Sequence, residues 1–411
     1  MPKECVNFGD GKSKCPATSP CCFGGYCDSS AYFCILGNCD PSNSYSPNSC
    51  WPKPMCKNIN QNFNDASVLV PASGFTGEVD KQIFYSSELV DHARISNGNL
   101  ALGLRPDSDL KKTGLGSTVY YSRWVDHGTI TITAMSGCKS PGVVSSFIVR
   151  NEFGDEIDFE WVGLDTSTVQ TNYYYNDELD YTKMVPSNDL GDTTSKFIDY
   201  TIDWKLDSIS WYAAGSLIRT VNRQDTWSVA ENVFKFPDRP AQLSFSIWDG
   251  CNERPKGTSD WAGCSNLYSS ASSEYVFNIK NVKVNCLYSG NDTYVIPNNA
   301  TPSSTAKPSF VSIPPRTSSS SSSSPSLSSS RSSSINSAFI VSPSAKATST
   351  SSSTSATSSS SATASSPTAS NAPQSQSQSS QSQSSSSSNN SVPAFVYAVS
   401  VSLAVYLSLH F

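Results

Sequence analysis

Three acidic residues at alternate positions form the pattern in this chain that most clearly indicates chemistry. They are Glu156, Asp158 and Glu160, within the run 154–163 (GDEIDFEWVG). Successive side chains of a β-strand point to opposite faces, so these three carboxyl groups are expected to share one face. Because three acids on a half-buried sheet repel one another and resist desolvation, the pattern favours a wet groove over a stabilising role.

Crowded carboxyl groups suit the cleavage of glycosidic bonds. One carboxylate must be ionised to attack or stabilise the anomeric carbon, and another must stay protonated to donate to the leaving oxygen. Like charges held together titrate apart, so one cluster can supply both states. We predict Glu156 and Glu160 as the two working carboxyls, with Asp158 holding a shared proton between them.

Spacing alone permits this chemistry without requiring it. The Cα atoms of Glu156 and Glu160 lie roughly 13 Å apart on an extended strand, so the side chains must lean inward to reach the roughly 5 Å of a retaining mechanism. A solvated acidic edge strand or a calcium site is the structural alternative. The strict alternation of the acids with apolar residues (Ile157, Phe159 and Trp161) argues against it.

Other kinds of site have little support in the sequence. His92 and His127 stand outside any Gly-x-Ser-x-Gly or His-Glu-x-x-His setting, and no phosphate-binding glycine loop occurs. We therefore predict no metal and no cofactor. A net charge of -6, with no basic stripe, argues against a nucleic-acid partner.

The elements that must position the acids are short strands. Between residues 62 and 290 the chain shows short alternating runs separated by turn residues, which predicts a sandwich of antiparallel sheets. A curved sandwich offers a long groove suited to a polymer. The clearest runs are Thr129–Ala134, Val143–Val149, Ile198–Trp204, Ile209–Ala213 and Gln242–Trp248.

Cysteines set the organisation of the N-terminal part. Nine of the thirteen cysteines lie between Cys5 and Cys56, at spacings that indicate disulfides in an oxidising compartment rather than a zinc site. We predict a disulfide-rich module over residues 1–39 and a linker over residues 40–61. Disulfides formed by Cys50 and Cys56 are expected to hold this linker in place. The odd total leaves one thiol unpaired or paired between chains.

The C-terminal part has the composition of a disordered stalk and an anchoring signal. Residues 291–391 are rich in Ser and Thr and nearly free of charge, and residues 392–411 are apolar. We predict a glycosylphosphatidylinositol signal cleaved at Asn389 or Asn390, the alternative being a transmembrane anchor. Asn291 and Asn299 begin glycosylation sequons. A signal peptide is expected upstream of Met1, which places the protein outside the cell.

The acidic run resembles the signature of glycoside hydrolase family 16, a family of β-jelly-roll glucanases and transglycosylases. Further matches extend from Phe63 to Cys286. Together with the cysteine module, the stalk and the anchor signal, they make the chain similar to the Crh family of fungal cell-wall transglycosylases. The matching runs are Gln170-Thr171-Asn172, Asp203-Trp204-Lys205, Ile209-Ser210-Trp211-Tyr212, Ser246-Ile247-Trp248-Asp249-Gly250 and Asp260-Trp261-Ala262-Gly263.

The resemblance implies a β-jelly-roll fold and a monomer that moves chitin chains onto β-1,3-glucan, β-1,6-glucan or chitin. It implies that Glu156 is the nucleophile, Glu160 the general acid/base and Asp158 the assisting residue. A hydrolytic β-glucanase or chitinase, and a wall lectin without catalysis, remain alternatives. The candidates for substrate binding are Gln170, Asn172, Tyr174, Trp248 and Trp261. The two tryptophans could instead fill the core.

The N-terminal module resembles hevein-like chitin-binding domains through Cys21-Cys22-x-x-Gly25-Tyr26-Cys27. This resemblance implies stacking of sugars on Tyr26, Tyr32 and Phe33, although the module could equally be a structural cap. In the catalytic part, Cys251 and Cys264 bracket one loop and are predicted to form a disulfide.

Overall fold

The computed structural model describes residues 3–5, 14–87, 91–109, 112–264 and 273–289. Within them the chain forms two large β-sheets, a small N-terminal sheet, one hairpin and a few short helices. The predicted stalk (291–391), the apolar C-terminal segment (392–411) and the four asparagines proposed for sugar or anchor attachment lie outside the described residues. No helix in the described part of the chain is both long and apolar enough to cross a membrane.

The strands follow one another closely along the chain, with few helical residues between them. In chain order they are β1 (Lys3–Glu4), β2 (Cys21–Phe23), β3 (Tyr26–Asp28), β4 (Ile59–Asn62), β5 (Leu69–Pro71), β6 (Phe84–Ser86), β7 (Ala93–Ser96), β8 (Asn99–Leu104), β9 (Ser117–Val125), β10 (Gly128–Met135), β11 (Val143–Arg150), β12 (Glu156–Val162), β13 (Asp165–Tyr174), β14 (Val185–Pro186), β15 (Ile198–Trp204), β16 (Ser208–Ala213), β17 (Ser216–Asn222), β18 (Trp227–Ser228), β19 (Val233–Phe234), β20 (Ala241–Asp249) and β21 (Tyr275–Cys286). The α-helices are α1 (Ala31–Cys34) and α2 (Lys256–Ala262), and the 3-10 helices are Pro47–Ser49, Ala66–Val68, Ala72–Gly74, Tyr181–Lys183 and Arg223–Thr226.

Two eight-stranded sheets form the body of the protein. We name the first the cleft sheet; its strand order is β14-β13-β12-β11-β20-β9-β6-β5. The second, the back sheet, has the order β17-β16-β15-β10-β21-β8-β7, with β4 also paired to β21. All pairs in these sheets are antiparallel except β5 with β6, which is parallel. The predicted all-β sandwich is confirmed, and each of the five alternating runs lies in a strand.

Alternation of side chains creates the core between the two sheets. On β10 of the back sheet, Ile130 and Ile132 are fully buried while the intervening threonines point outward, so each strand contributes one apolar face. Across the core, Tyr200 meets Phe159 and Trp161 of the cleft sheet at ring-centroid distances of 5.7 and 4.6 Å. The strand that carries the acids is therefore anchored by its other face.

Six disulfides staple the described part of the chain. They pair Cys5 with Cys22, Cys15 with Cys27, Cys21 with Cys34, Cys39 with Cys50, Cys56 with Cys286, and Cys251 with Cys264. The stapled N-terminal unit thus reaches Cys50, and Cys56 bonds to the end of β21. All thirteen cysteines are described, and the unpaired one is Cys138, whose thiol pKa is raised to about 11 by burial.

The Cys56–Cys286 bridge closes a loop with a sequence separation of 230 residues, against 13 for Cys251–Cys264. Because a longer closed loop removes more entropy from the unfolded chain, replacing both cysteines of the first pair by serine should lower the unfolding free energy by about 2–5 kcal/mol. The same change in the second pair should cost less. Denaturant unfolding of both double variants measures the difference, and an equal or smaller loss for the first pair would contradict this prediction.

Candidate active site

Strand β12 presents its acids to an open cleft on the cleft sheet. Glu156, Asp158 and Glu160 all line this cleft, which has a volume of about 980 Å³. Glu156 and Asp158 are 3% and 2% exposed, and Glu160 is half-buried. The opposite face of the strand enters the core through three residues, each 1% exposed or less: Ile157, Phe159 and Trp161.

The register of the neighbouring strand β13 brings three predicted binding residues beside the acids. Directly opposite partners are Tyr174 with Glu156, Asn172 with Asp158, and Gln170 with Glu160. All three line the cleft, and the Asn172 amide donates a hydrogen bond to the Tyr174 hydroxyl at 2.8 Å. The acids are thus flanked by groups that can donate and accept hydrogen bonds, as sugar hydroxyls require.

Glu156 has a cationic partner on the other neighbouring strand. Arg150, at the end of β11, lies directly opposite Glu156 in the register, and its Nη1 donates to Glu156 Oε2 at 2.6 Å. Its Nη2 donates to Asp177 Oδ1, also at 2.6 Å. Burial opposes the charge on Arg150, but Glu156 and Asp177 outweigh it and raise the pKa of Arg150. This charge-assisted pair orients the first carboxylate of the strand.

The turn that precedes β12 is fixed by a second set of polar contacts. Arg239 Nε donates to Asp155 Oδ2 at 2.6 Å, and the Asn151 amide donates to the same oxygen at 3.0 Å. Gly154 adopts a positive φ of 83°, and a Cβ there would lie 2.4 Å from the backbone nitrogen of Asp177. Glycine at this position therefore allows the loop carrying Asp177 to approach the acidic strand.

The other two acids lie in surroundings that favour their protonated forms. Burial, then the charge of Glu156, raises the pKa of Glu160 from 4.5 to about 8. Burial, then Glu160 and Glu156, raises the pKa of Asp158 well above its usual range. Asp158 Oδ1 is buried without a hydrogen-bond partner among the described residues, while Trp211 Nε1 donates to the Asp158 carbonyl at 3.0 Å. One strand thus offers an arginine-paired Glu156 beside two acids whose pKa values are raised, that of Glu160 to about 8.

Two tryptophans form part of the cleft wall. The rings of Trp248 and Trp261 stack at a centroid distance of 6.0 Å, and both line the cleft. Trp261 Nε1 donates to Gln170 Oε1 at 2.8 Å, which connects the wall to β13. The Cys251–Cys264 disulfide spans the segment that contains α2 and so holds Trp261 in place. Aromatic faces of this kind bind the apolar faces of sugar rings.

Sequence reasoning did not identify Arg150 or Asp177. The sequence did contain a signal for Arg150. The alternating run that ends at Val149 directly precedes the acidic strand, and a hairpin between the two places Arg150 opposite Glu156. No sequence pattern marks Asp177, which reaches the site from a left-handed turn with a φ of 63°. Of the three aromatic residues predicted to bind sugars in the N-terminal module, Tyr32 lines the cleft. Tyr26 and Phe33 are described but do not line it.

A model for "Glycosyl hydrolases family 16" matches residues 81–263. The chain is 32% identical over 255 residues to Crh-like protein 2 of Aspergillus fumigatus, covering 61% of this chain and 55% of that protein. It is 31% identical over 264 residues to Congo red hypersensitive protein 2 of Saccharomyces cerevisiae, covering 63% and 54%.

Among solved structures, the chain is similar to one titled "Apo Crh5 transglycosylase", with 23% identity and a TM-score of 0.45 over 58% of this chain and 88% of that one. The chain spans about half the length of the curated relatives named above.

The raised pKa of Glu160 links stability to pH. A carboxyl whose pKa rises from 4.5 to about 8 on folding keeps its proton where the unfolded chain would release it, so stability is lost as pH rises through that window. Glu160→Gln removes this titration. The variant should melt a few degrees above the wild type at alkaline pH, with the gap closing below the ordinary carboxyl pKa. Glu160 is half-buried, so cleft water screens part of the effect.

Thermal unfolding across this pH range measures the effect. Glu231→Gln is the matched control, because Glu231 forms a surface ion pair with Lys235. A wild type and a Glu160→Gln variant with parallel pH dependence would contradict the assignment of a protonated Glu160.

Proposed function

We propose that this chain is a Crh-like member of glycosyl hydrolases family 16 and a retaining transglycosylase of the fungal cell wall, supported by the family match over residues 81–263 and by the 31–32% identity to the two Crh relatives. It cleaves β-1,4-linked chitin and transfers the released chain to β-1,3-glucan, β-1,6-glucan or another chitin chain. The observation that carries the proposal is the acid face of β12, where an arginine-paired Glu156 and a Glu160 with a pKa of about 8 open into one cleft.

The proposed reaction is a double displacement. The Glu156 carboxylate attacks the anomeric carbon while Glu160 donates its proton to the departing glycosidic oxygen, which gives a covalent glycosyl-enzyme. Glu160, now ionised, takes the proton from the hydroxyl of the acceptor glycan as that oxygen attacks the anomeric carbon and releases Glu156. Asp158, which favours its protonated form, assists by sharing a proton with the carboxyl groups on either side.

Transfer and hydrolysis use the same acids and differ only in the attacking hydroxyl. The choice of transfer follows the resemblance of the chain to the Crh family. The cleft is compatible with it, since the Trp248 and Trp261 rings offer faces on which an acceptor sugar can stack and displace water. A hydrolytic enzyme would release reducing ends without labelling an added acceptor.

The proposed site of action is the outer face of the cell. Six disulfides in the described residues fit an oxidising compartment. The Ser/Thr-rich segment and the apolar C-terminal run support a lipid anchor at Asn389 or Asn390 on a stalk glycosylated at Asn291 and Asn299.

The nucleophile assignment is tested by Glu156→Gln. An amide cannot form the glycosyl-enzyme, so transfer of chitin chains to a fluorescent oligosaccharide acceptor should fall roughly 10³-fold or more. Formation of the labelled product is the measurement, with Glu231→Gln as the control that should keep wild-type activity. Wild-type turnover by the Glu156→Gln variant would end the assignment.

The proton-donor role predicts a pH profile. Because Glu160 must carry its proton into the first step, kcat/KM should be retained below about pH 8 and fall about tenfold per pH unit above it. With an aryl glycoside whose leaving group departs without protonation, this alkaline limb should disappear. An alkaline limb that is identical for both substrates would contradict the role of Glu160.

A further inference from the structure

The cleft is not built by the two large sheets alone. Four residues of the disulfide-rich N-terminal unit line the same cleft as the acids: Phe23, Tyr32, Gly37 and Asn38. They come from β2, from α1 and from the segment that follows it. The N-terminal unit therefore contributes to the surface that a substrate of the acids would meet.

This contribution is held rigidly. A Cβ on Gly37 would lie 2.7 Å from Cζ2 of Trp124, so the backbone of the unit rests directly on the indole ring at the end of β9. Ile35 is 1% exposed and packs in one cluster with Trp124 and Phe75. Such a buried contact fixes the unit against the cleft sheet, and its cleft-facing side chains keep a defined position relative to the acids.

A single row of paired residues connects the acids to the N-terminal unit. Starting at Asp158, the register runs through Ile148, Ser244 and Tyr120 to Tyr85, across the strands β12, β11, β20, β9 and β6. Four strand spacings make this row about 19 Å long, enough for several sugar units. All five residues line the cleft.

Aromatic rings continue the row beyond the edge of the register. Tyr120 and Tyr85 stack at 5.4 Å, and Tyr32 meets Tyr85 edge-on at 5.6 Å. Phe23 lies edge-on against Tyr32 at 5.3 Å, and the Asn38 amide donates to the Tyr32 carbonyl at 2.8 Å. The half-buried rings of Tyr32 and Phe23 thus lie at the end of this row that is farthest from the acids. The Asn38 amide beside them can bind hydroxyl groups.

We propose that Tyr32 and Phe23 form a distal sugar-binding subsite of the cleft, so that the N-terminal unit lengthens the glycan site that serves the acids. The occupant is a sugar residue of the same chain that reaches Glu156, several units away from the bond that is cut. This inference rests on the proposed function for the identity of the glycan. It differs from the separate chitin-binding surface predicted for Tyr26, Tyr32 and Phe33, because Tyr26 and Phe33 lie outside the cleft lining.

The test is dependence on chain length in the full-length protein. For Tyr32→Leu, the ratio of kcat/KM for a long chitin oligosaccharide to that for the shortest active one should fall about 5-fold, since one aromatic stacking contact is lost. Donor length and acceptor length are varied in turn, and a fall in either series supports the subsite. Phe23→Leu should act in the same direction and provides a second variant if the first does not fold.

Tyr45→Ala is the matched control, because Tyr45 is a 45% exposed aromatic residue of the same unit that lies outside the cleft lining. It should leave the ratio unchanged. An unchanged ratio for both Tyr32→Leu and Phe23→Leu, or a loss caused by Tyr26→Ala instead, would overturn the proposal.

A binding measurement separates this inference from the proposed function. In the Glu156→Gln background, calorimetric affinity for the long chitin oligosaccharide should fall about 5-fold on adding Tyr32→Leu. If the wild type transfers no glycan but this fall is seen, the proposed reaction is wrong and the subsite stands. If the wild type transfers glycan and neither affinity nor length dependence changes, only the subsite is wrong.

Discussion

Desolvation of carboxyl groups on one face of a single strand is the constraint on which the site depends. The other face of β12 is buried in the core through Phe159 and Trp161, so the strand cannot turn its acids away from the sheet. Burial and the neighbouring acids disfavour the charged forms of Asp158 and Glu160 and raise their pKa values. The resulting free-energy cost lies where reactivity is needed, a pattern common in functional sites.

Arg150 makes the surroundings of Glu156 differ from those of Glu160. Arg150 reaches Glu156 because the β11–β12 register places the two residues opposite each other, and the turn held by Asp155 and Arg239 fixes that register. Glu160 lies two residues beyond Asp158, on the same face of the strand. Its partner on the neighbouring strand is Gln170 rather than a cation. Identical side chains on the same strand therefore occupy different electrostatic surroundings, which is what an acid and a nucleophile require.

Local sequence was sufficient for the sandwich and for the face that each acid occupies. The period-2 alternation of runs such as Thr129–Ala134 depends only on neighbouring residues, and it predicted strands that the structure contains. Contacts between distant segments could not be predicted in this way. The pairing of Cys56 with Cys286, the approach of Asp177 to Arg150 and the position of Tyr32 beside Tyr85 each depend on how separate parts of the chain pack.

The bond between Cys56 and Cys286 also has a mechanical consequence. Tension on the chain that continues past residue 286 is transmitted to the end of β21. This strand is hydrogen-bonded to β4, β8 and β10, and its last residue, Cys286, is covalently bonded to Cys56. Load applied along this strand is borne in shear by several ladders at once and by a covalent bond. The pull therefore enters the back sheet, which is the layer of the sandwich opposite the cleft sheet.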